Sequence, residues 1–252
     1  NDVAVGSHEG GESVFVLDVT NAVKPGAENR LAVRVLNPTQ QPIDGIVLAE
    51  TAHRNKALPY SSGNAWDQGG IWDSVELLNV PQVWIEDLYA RPDGKTGELR
   101  IQATLRNGGA ASLPARVAFS VAPANSGETL ATTELASDAA PGSTLAEGVL
   151  HVTAPHLWNL SDPFLYRVTA NAVTGTAPRQ DVHEQSVRCG FRDFRLENGY
   201  FRLNGKRIYV RCSHTGNCCP IGLEMPPDPD FLRRDLINQK MMGYNAMRFI
   251  SG

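Results

Sequence analysis

The stretch ELRIQATLRNGGAASLPARVAFSVAPANSGETLATTEL, residues 98–135, decides what kind of fold this chain builds. Leu99, Ile101, Ala103 and Leu105 alternate with other positions, and Val117, Phe119 and Val121 repeat the pattern after a turn-rich interruption. Successive side chains of a strand point to opposite faces, so a period of two marks strands with one buried face. Each run supplies one apolar face, and two sheets packed on such faces are stable without a ligand.

Working outward, comparable short runs appear at VWIEDLYA (83–90), TLATTEL (129–135), EGVLHVTA (147–154), PFLYRVTANAV (163–173) and DVHEQSV (181–187). Their spacing predicts a β-sandwich of about seven strands in about 100 residues, placed at 82–188. Trp158 and Tyr166 are assigned to its core or edge. The sequon Asn159-Leu160-Ser161 matters only in a eukaryotic secretory setting.

Toward the N-terminus, SVFVLDV (13–19) and RLAVRVL (30–36) read as strands joined by the turn-rich VKPGAEN. From Asn37 to Gly70 the pattern dissolves into Pro, Gly, Gln, Ser and Asn, a connection of the length that binding loops have. Trp66 lies there, with packing against its own domain favoured over a stacking role. Strand character returns at IWDSVELLNV (71–80), and residues 1–81 are taken as one β domain.

Toward the C-terminus the pattern changes after Cys189. FRLNGKRIYV (201–210) centres on Asn204-Gly205, whose tolerance of positive φ predicts a two-residue hairpin. Asp228-Pro229 then announces a helix, Asp as cap and Pro in the first turn. Leu232, Leu236, Ile237 and Met241 share one face, and Gly243 ends the helix. YNAMRFI (244–250) is the next strand. Strand, helix and strand form a unit whose default pairing is parallel. Two parallel strands leave open edges, so the chain is expected to be an excerpt of a longer protein, its third domain beginning at 189 and interrupted at 252.

The 252 residues are 42% apolar and 20% charged, which excludes general disorder. No apolar run approaches the roughly 18–20 residues of a membrane span, and the first residues show no leader pattern. A soluble protein is expected, cytoplasmic or exported by a signal outside these residues. Net charge is −4 overall, but residues 1–187 carry 12 Lys/Arg against 21 Asp/Glu and residues 188–252 carry 11 against 6. The step from −9 to +5 near Arg188 marks a domain boundary. No recognition motif accompanies the basic part, so nucleic acid is not expected as a partner. Cys189, Cys212, Cys218 and Cys219 form no CxxC pair; with His214 the last three are an unfavourable zinc set, since adjacent cysteines cannot easily both reach one ion. Neither metal nor cofactor is expected.

Several strings, in order, resemble glycoside hydrolase family 2, the β-galactosidase, β-glucuronidase and β-mannosidase group. They are VGSHEGGESVFVLDVT (5–20), NRLAVRVLNP (29–38), GGIWDSVEL (69–77), LWNLSDPFLYRV (157–168), GFRDFRLENGYFRLNGKRIYVRCSHTGN (190–217) and RRDLINQKMMGYNAMRF (233–249). The resemblance implies a partial jelly-roll sugar-binding domain (1–81), an immunoglobulin-like sandwich (82–188) and the first βαβ unit of a (β/α)₈ TIM barrel (189–252). It also implies a retaining exo-glycosidase acting on β-linked sugars, β-galactosides first, with carbohydrate as partner and homo-oligomerisation left open.

Three places depart from the family pattern: Asp73 where an Arg is common, His214-Thr215-Gly216-Asn217 where a His-acidic pair is frequent, and Phe249 to Gly252 after Arg248. Family 2 chemistry uses two glutamates, and by resemblance both are expected beyond Gly252. Glu224 lacks the Asn-Glu context and is rejected as the acid. Active faces of such barrels lie at the C-terminal strand ends. The resemblance therefore points to Arg248 as a lumen-facing residue that positions the nucleophilic carboxylate, and to His214 and Asn217 as substrate contacts. Ala246, Arg248 and Ile250 are expected to face the lumen, with Arg211 and Ser213 in the same parity. The competing reading is a non-catalytic carbohydrate-binding or adhesive β-sandwich protein.

Overall fold

The computed structural model describes residues 1–9, 14–36, 71, 74–176, 178–214 and 229–248. The chain is mainly β and divides into two compact units, one spanning Leu77–Val210 and the other combining Asn1–Glu76 with Arg211–Gly252.

The first unit is built on a two-sheet sandwich. Strands β1 (Val83–Pro92), β2 (Glu98–Asn107), β3 (Leu113–Pro123), β4 (Ala131–Ala139), β5 (Gly142–His151), β6 (Tyr166–Thr176) and β7 (Arg179–Cys189) correspond to the seven expected runs. One sheet has the order β1-β2-β5 and the other β4-β3-β6-β7, all pairs antiparallel. Leu99, Ile101, Ala103 and Leu105 of β2 face Val117, Phe119 and Val121 of β3 from the opposite sheet, and all seven are fully buried. Burial of such side chains is the main favourable term in folding. β5 begins at Gly142, earlier than the apolar run at 147–154 suggested, because Gly142 adopts φ +88° and Thr144 Oγ1 accepts from the Ala140 N–H at 3.1 Å.

A small three-stranded sheet follows, β8 (Phe194–Glu197), β9 (Tyr200–Leu203) and β10 (Lys206–Arg207), in the order β10-β9-β8. Both its turns are Asn-Gly pairs at positive φ, 51° and 78° at Asn198-Gly199 and again at Asn204-Gly205. These are the mirror-image turns whose twist matches that of antiparallel strands. Asn204 ties the sheet to the sandwich: its Oδ1 accepts from the Asp193 N–H at 3.0 Å, and its Nδ2 donates to the Trp158 carbonyl at 2.9 Å. The compact unit accordingly runs to Val210, past the boundary expected at 188.

In the second unit, β11 (Cys212–His214), α1 (Pro229–Met241) and β12 (Ala246–Arg248) form the expected strand–helix–strand unit, and β11 pairs parallel with β12. Asp230 occupies the first turn of α1 and Lys240 the last, where each complements the helix dipole. Gly243 at φ +92° closes the helix: its N–H donates to the Lys240 carbonyl, and the Tyr244 N–H reaches the Gln239 carbonyl. This is the Schellman arrangement.

The strands expected at 13–19, 30–36 and 71–80 do not form among the described residues 14–19, 30–36 and 74–80. Alternation specifies which side of a strand is apolar, whereas a strand exists only where a partner accepts its N–H and C=O groups. No ladder forms on these segments among the described residues, and Val14, Leu31 and Leu77 are exposed at 94%, 69% and 79%. Local order comes instead from polar contacts. Asn29 Oδ1 accepts from the Lys24 N–H and from Asn1 Nδ2, and the Asn1 ammonium donates to the Arg30 carbonyl. The long connection at 37–70 lies outside the described residues.

Candidate functional site

A parallel pair joined by a helix brings the C-terminal ends of both strands to one side, the side where ligands bind in α/β folds. In the β11–β12 pair the common start is pinned by Asn245. Its Oδ1 accepts from the Arg211 N–H at 2.8 Å, while the Arg211 carbonyl accepts from the N–H groups of Asn245 and Ala246 at 3.0 and 3.3 Å. This sets the register Cys212 to Ala246, Ser213 to Met247 and His214 to Arg248.

His214 and Arg248 therefore occupy the same terminal rung, brought together by two strands whose sequences are 34 residues apart. Arg248 is exposed. Ser213 stands opposite Met247 and so belongs to the other face of the pleat, which corrects the expected parity of Ser213 with Arg248. A parallel ladder sets partners side by side on one face, and a shift of one residue exchanges the faces. Asn217 lies outside the described residues, as do Trp66, Asp73, Glu224, Cys218 and Cys219.

Cys212 is exposed and its Sγ lies 3.1 Å from the Ser213 carbonyl. Cys189, at the end of β7, is of another kind. Burial pushes its thiol up to about 11, so it stays protonated and unreactive at neutral pH. Among the described residues no three His, Cys, Asp or Glu side chains gather where they could hold a metal.

The aromatic residues assigned to the sandwich are structural. Tyr166 is buried, meets Phe191 edge-on at 5.1 Å, and its hydroxyl accepts from the His156 N–H at 2.8 Å. Trp158 is half-buried, donates its N–H to the Phe191 carbonyl and lies under the Arg192 guanidinium at 4.9 Å. The Asn159 side chain is engaged locally, accepting from the N–H and hydroxyl of Ser161 and from the Asp162 N–H.

Two polar residues that shape the structure were not singled out from the sequence. Asn245 was read only as part of a strand, although an Asn between a C-capping Gly and an apolar run is the kind of residue that bonds backbone. His183 lies in the run DVHEQSV, to which the sequence assigns no inward face. In the structure Val182 is 53% exposed and His183 is half-buried on the inner side.

Residues 83–192 match the family model of glycosyl hydrolases family 2. A β-galactosidase of Enterobacter cloacae is 28% identical over 251 residues, an alignment covering 92% of this chain and 21% of that protein. The chain spans about a fifth of the length of the curated relatives it matches. Among solved structures, a protein of Bacteroides fragilis superposes over 98% of this chain and 36% of its own, with TM-score 0.74 at 20% identity. The Bacteroides uniformis β-glucuronidase does so over 79% of this chain and 25% of its own, with TM-score 0.65 at 23% identity. Both likenesses concern the fold.

Proposed function

We propose that this chain, whose residues 83–192 match the family model of glycosyl hydrolases family 2, is part of a retaining β-glycosidase, with β-galactosides as first substrate class and β-glucuronides or β-mannosides next. The observation that carries this reading is the order of parts: a seven-stranded sandwich followed by a parallel strand–helix–strand unit. A binding module alone has no use for the latter. In this reading the sandwich is immunoglobulin-like, residues 1–81 are jelly-roll sequence, and β11, α1 and β12 are the first unit of a (β/α)₈ barrel.

The chemistry follows from the family reaction. One carboxylic acid protonates the leaving oxygen while a carboxylate about 5–5.5 Å away attacks the anomeric carbon, and the first group then activates water. No residue of this chain is assigned either role. Arg248, at the C-terminal end of β12, is assigned to the nucleophilic carboxylate: a guanidinium within about 4–6 Å favours the ionised form and fixes its orientation. His214 and Asn217 are assigned to sugar hydroxyls.

The test is hydrolysis of 4-nitrophenyl β-galactoside, β-glucuronide and β-mannoside by the full-length product of the gene and by residues 1–252 alone. The full-length protein should turn over the galactoside fastest, and 1–252 should match a mock preparation, because neither leaving-group protonation nor nucleophilic attack is supported. Inactivity of the full-length protein on all three would overturn the reading. Activity of 1–252 would overturn the site assignment.

A further inference from the structure

The two sheets of the sandwich meet at a corner where β1 and β7, each the outermost strand of its sheet, lie side by side. Outer strands carry unpaired backbone groups, and here one of them finds a side chain. The N–H of Ile85, a residue only 2% exposed, donates to Nδ1 of His183 at 3.1 Å. The contact falls at the bulge between Ile85 and Asp87, where β1 slips register against β2. A bulge interrupts the ladder and turns the strand, which frees the Ile85 N–H to face β7.

An imidazole nitrogen accepts a hydrogen bond only while it carries no proton. Nδ1 is therefore the bare nitrogen and Nε2 holds the hydrogen. Adding a second proton would set two N–H donors against each other across a half-buried gap. We infer that His183 is a pH-sensitive latch, holding the β1 edge to β7 while neutral and releasing it when protonated.

The surroundings support this assignment. Burial holds the His183 pKa below its ordinary value, as expected where the charged form loses solvation. The ionisable neighbours are Glu86 and Asp87 on β1 and Asp181 and Glu184 on β7, all exposed, while β6 presents Ala172 opposite His183. Among the described residues no carboxylate pairs with the ring to offset protonation. Gln185, two residues along on the same side of β7, has a buried Oε1 without a hydrogen-bond partner among the described residues. An unsatisfied buried acceptor gains by meeting water, so opening of the corner relieves Gln185.

The sign follows from linkage. With the pKa lowered in the closed form and ordinary, about 6.5, in the open form, the open form binds more protons at mildly acidic pH. Closure is fully favoured above about pH 6.5 and weakens as pH falls below it.

Amide hydrogen exchange on residues 1–252, followed by NMR from pH 8 to 5 and corrected for intrinsic rates, tests the inference. Protection at Ile85 should fall below about pH 6.5, by up to about tenfold per pH unit, while Phe119 in β3 keeps its protection. His183→Asn, which retains an acceptor near the Nδ1 position and cannot titrate, should remove the pH dependence. Constant protection at Ile85 in the parent chain would overturn the latch, as would an undiminished pH dependence in His183→Asn. A parallel loss at Phe119 would overturn it too, because His183 would then act on global stability rather than on this corner.

Discussion

Gly148 on β5 shows how a single residue can matter through what it lacks. A Cβ at this position would lie 2.5 and 2.8 Å from the Cδ2 and Cε2 atoms of Phe119, which is fully buried at the centre of the core. The aromatic ring fills the room that glycine leaves. Gly148→Ala should therefore destabilise the chain by about 1–3 kcal/mol through overpacking, measured as a lower urea midpoint at unchanged slope. Phe119→Leu in the Gly148→Ala background should recover part of that loss. A neutral Gly148→Ala would mean that Phe119 can move. Asn107 is the polar counterpart, 2% exposed and fully engaged: its Nδ2 donates to the Ala111 and Ala139 carbonyls at 2.8 Å, and its Oδ1 accepts from the Gly109 N–H. The sequence marks Asn107-Gly108-Gly109 as a turn but not as a buried clamp, because the clamp depends on Ala139, which is 32 residues away.

The hairpin sheet β8–β9–β10 is the element whose sequence and structure agree most directly, because Asn-Gly turns act over four residues and need no distant partner. One face carries Phe194, Leu196 and Phe201, the other an ionic chain in which Arg195 meets Asp193 and Glu197 while Arg202 meets Glu197. These pairs are partly exposed and each contributes modestly. Its docking to the sandwich rests on Asn204. Asn204→Ala loses both side-chain bonds and puts alanine, which tolerates the left-handed region less well than asparagine, at φ +51°, so the hairpin should loosen by about 2 kcal/mol. Limited proteolysis should then cut within 194–210 faster than in the parent chain, whereas Asn204→Asp, which keeps the Oδ1 acceptor, should fall between the two. Equal cleavage of all three would show that the docking lies elsewhere.

For the whole molecule, the proposed division of labour separates a residue that serves the reaction from one that serves the fold. In the full-length protein Arg248→Ala should lower kcat/KM by about a hundredfold, the scale of a misplaced reacting group, with the melting temperature nearly unchanged, as expected of a residue that serves the reaction. Trp158→Ala should do the reverse. The Trp158 side chain is half-buried, lies against Gly190 and under the Arg192 guanidinium, and its loss should cost about 2–4 kcal/mol of stability. If Arg248→Ala only lowered the melting temperature, the arginine would be structural. Thermal unfolding and initial rates on the same two preparations decide between the roles.

The sequence by itself determined the seven sandwich strands, the Asn204-Gly205 hairpin and the parallel strand–helix–strand unit. Each depends on signals that act within a few residues: a period of two, paired turn residues, a cap and a C-terminal glycine. Tertiary structure alone decided the rest. Among the described residues it left 14–19, 30–36 and 74–80 without a ladder, since strand formation needs a partner as well as a pattern. It turned His183 inward and Val182 outward on β7, since pairing with β6 sets His183 beside the buried Ala172. It set Arg248 beside His214, since the register of a parallel pair follows from the hydrogen bonds of Asn245 rather than from apolar alternation in strands of three residues.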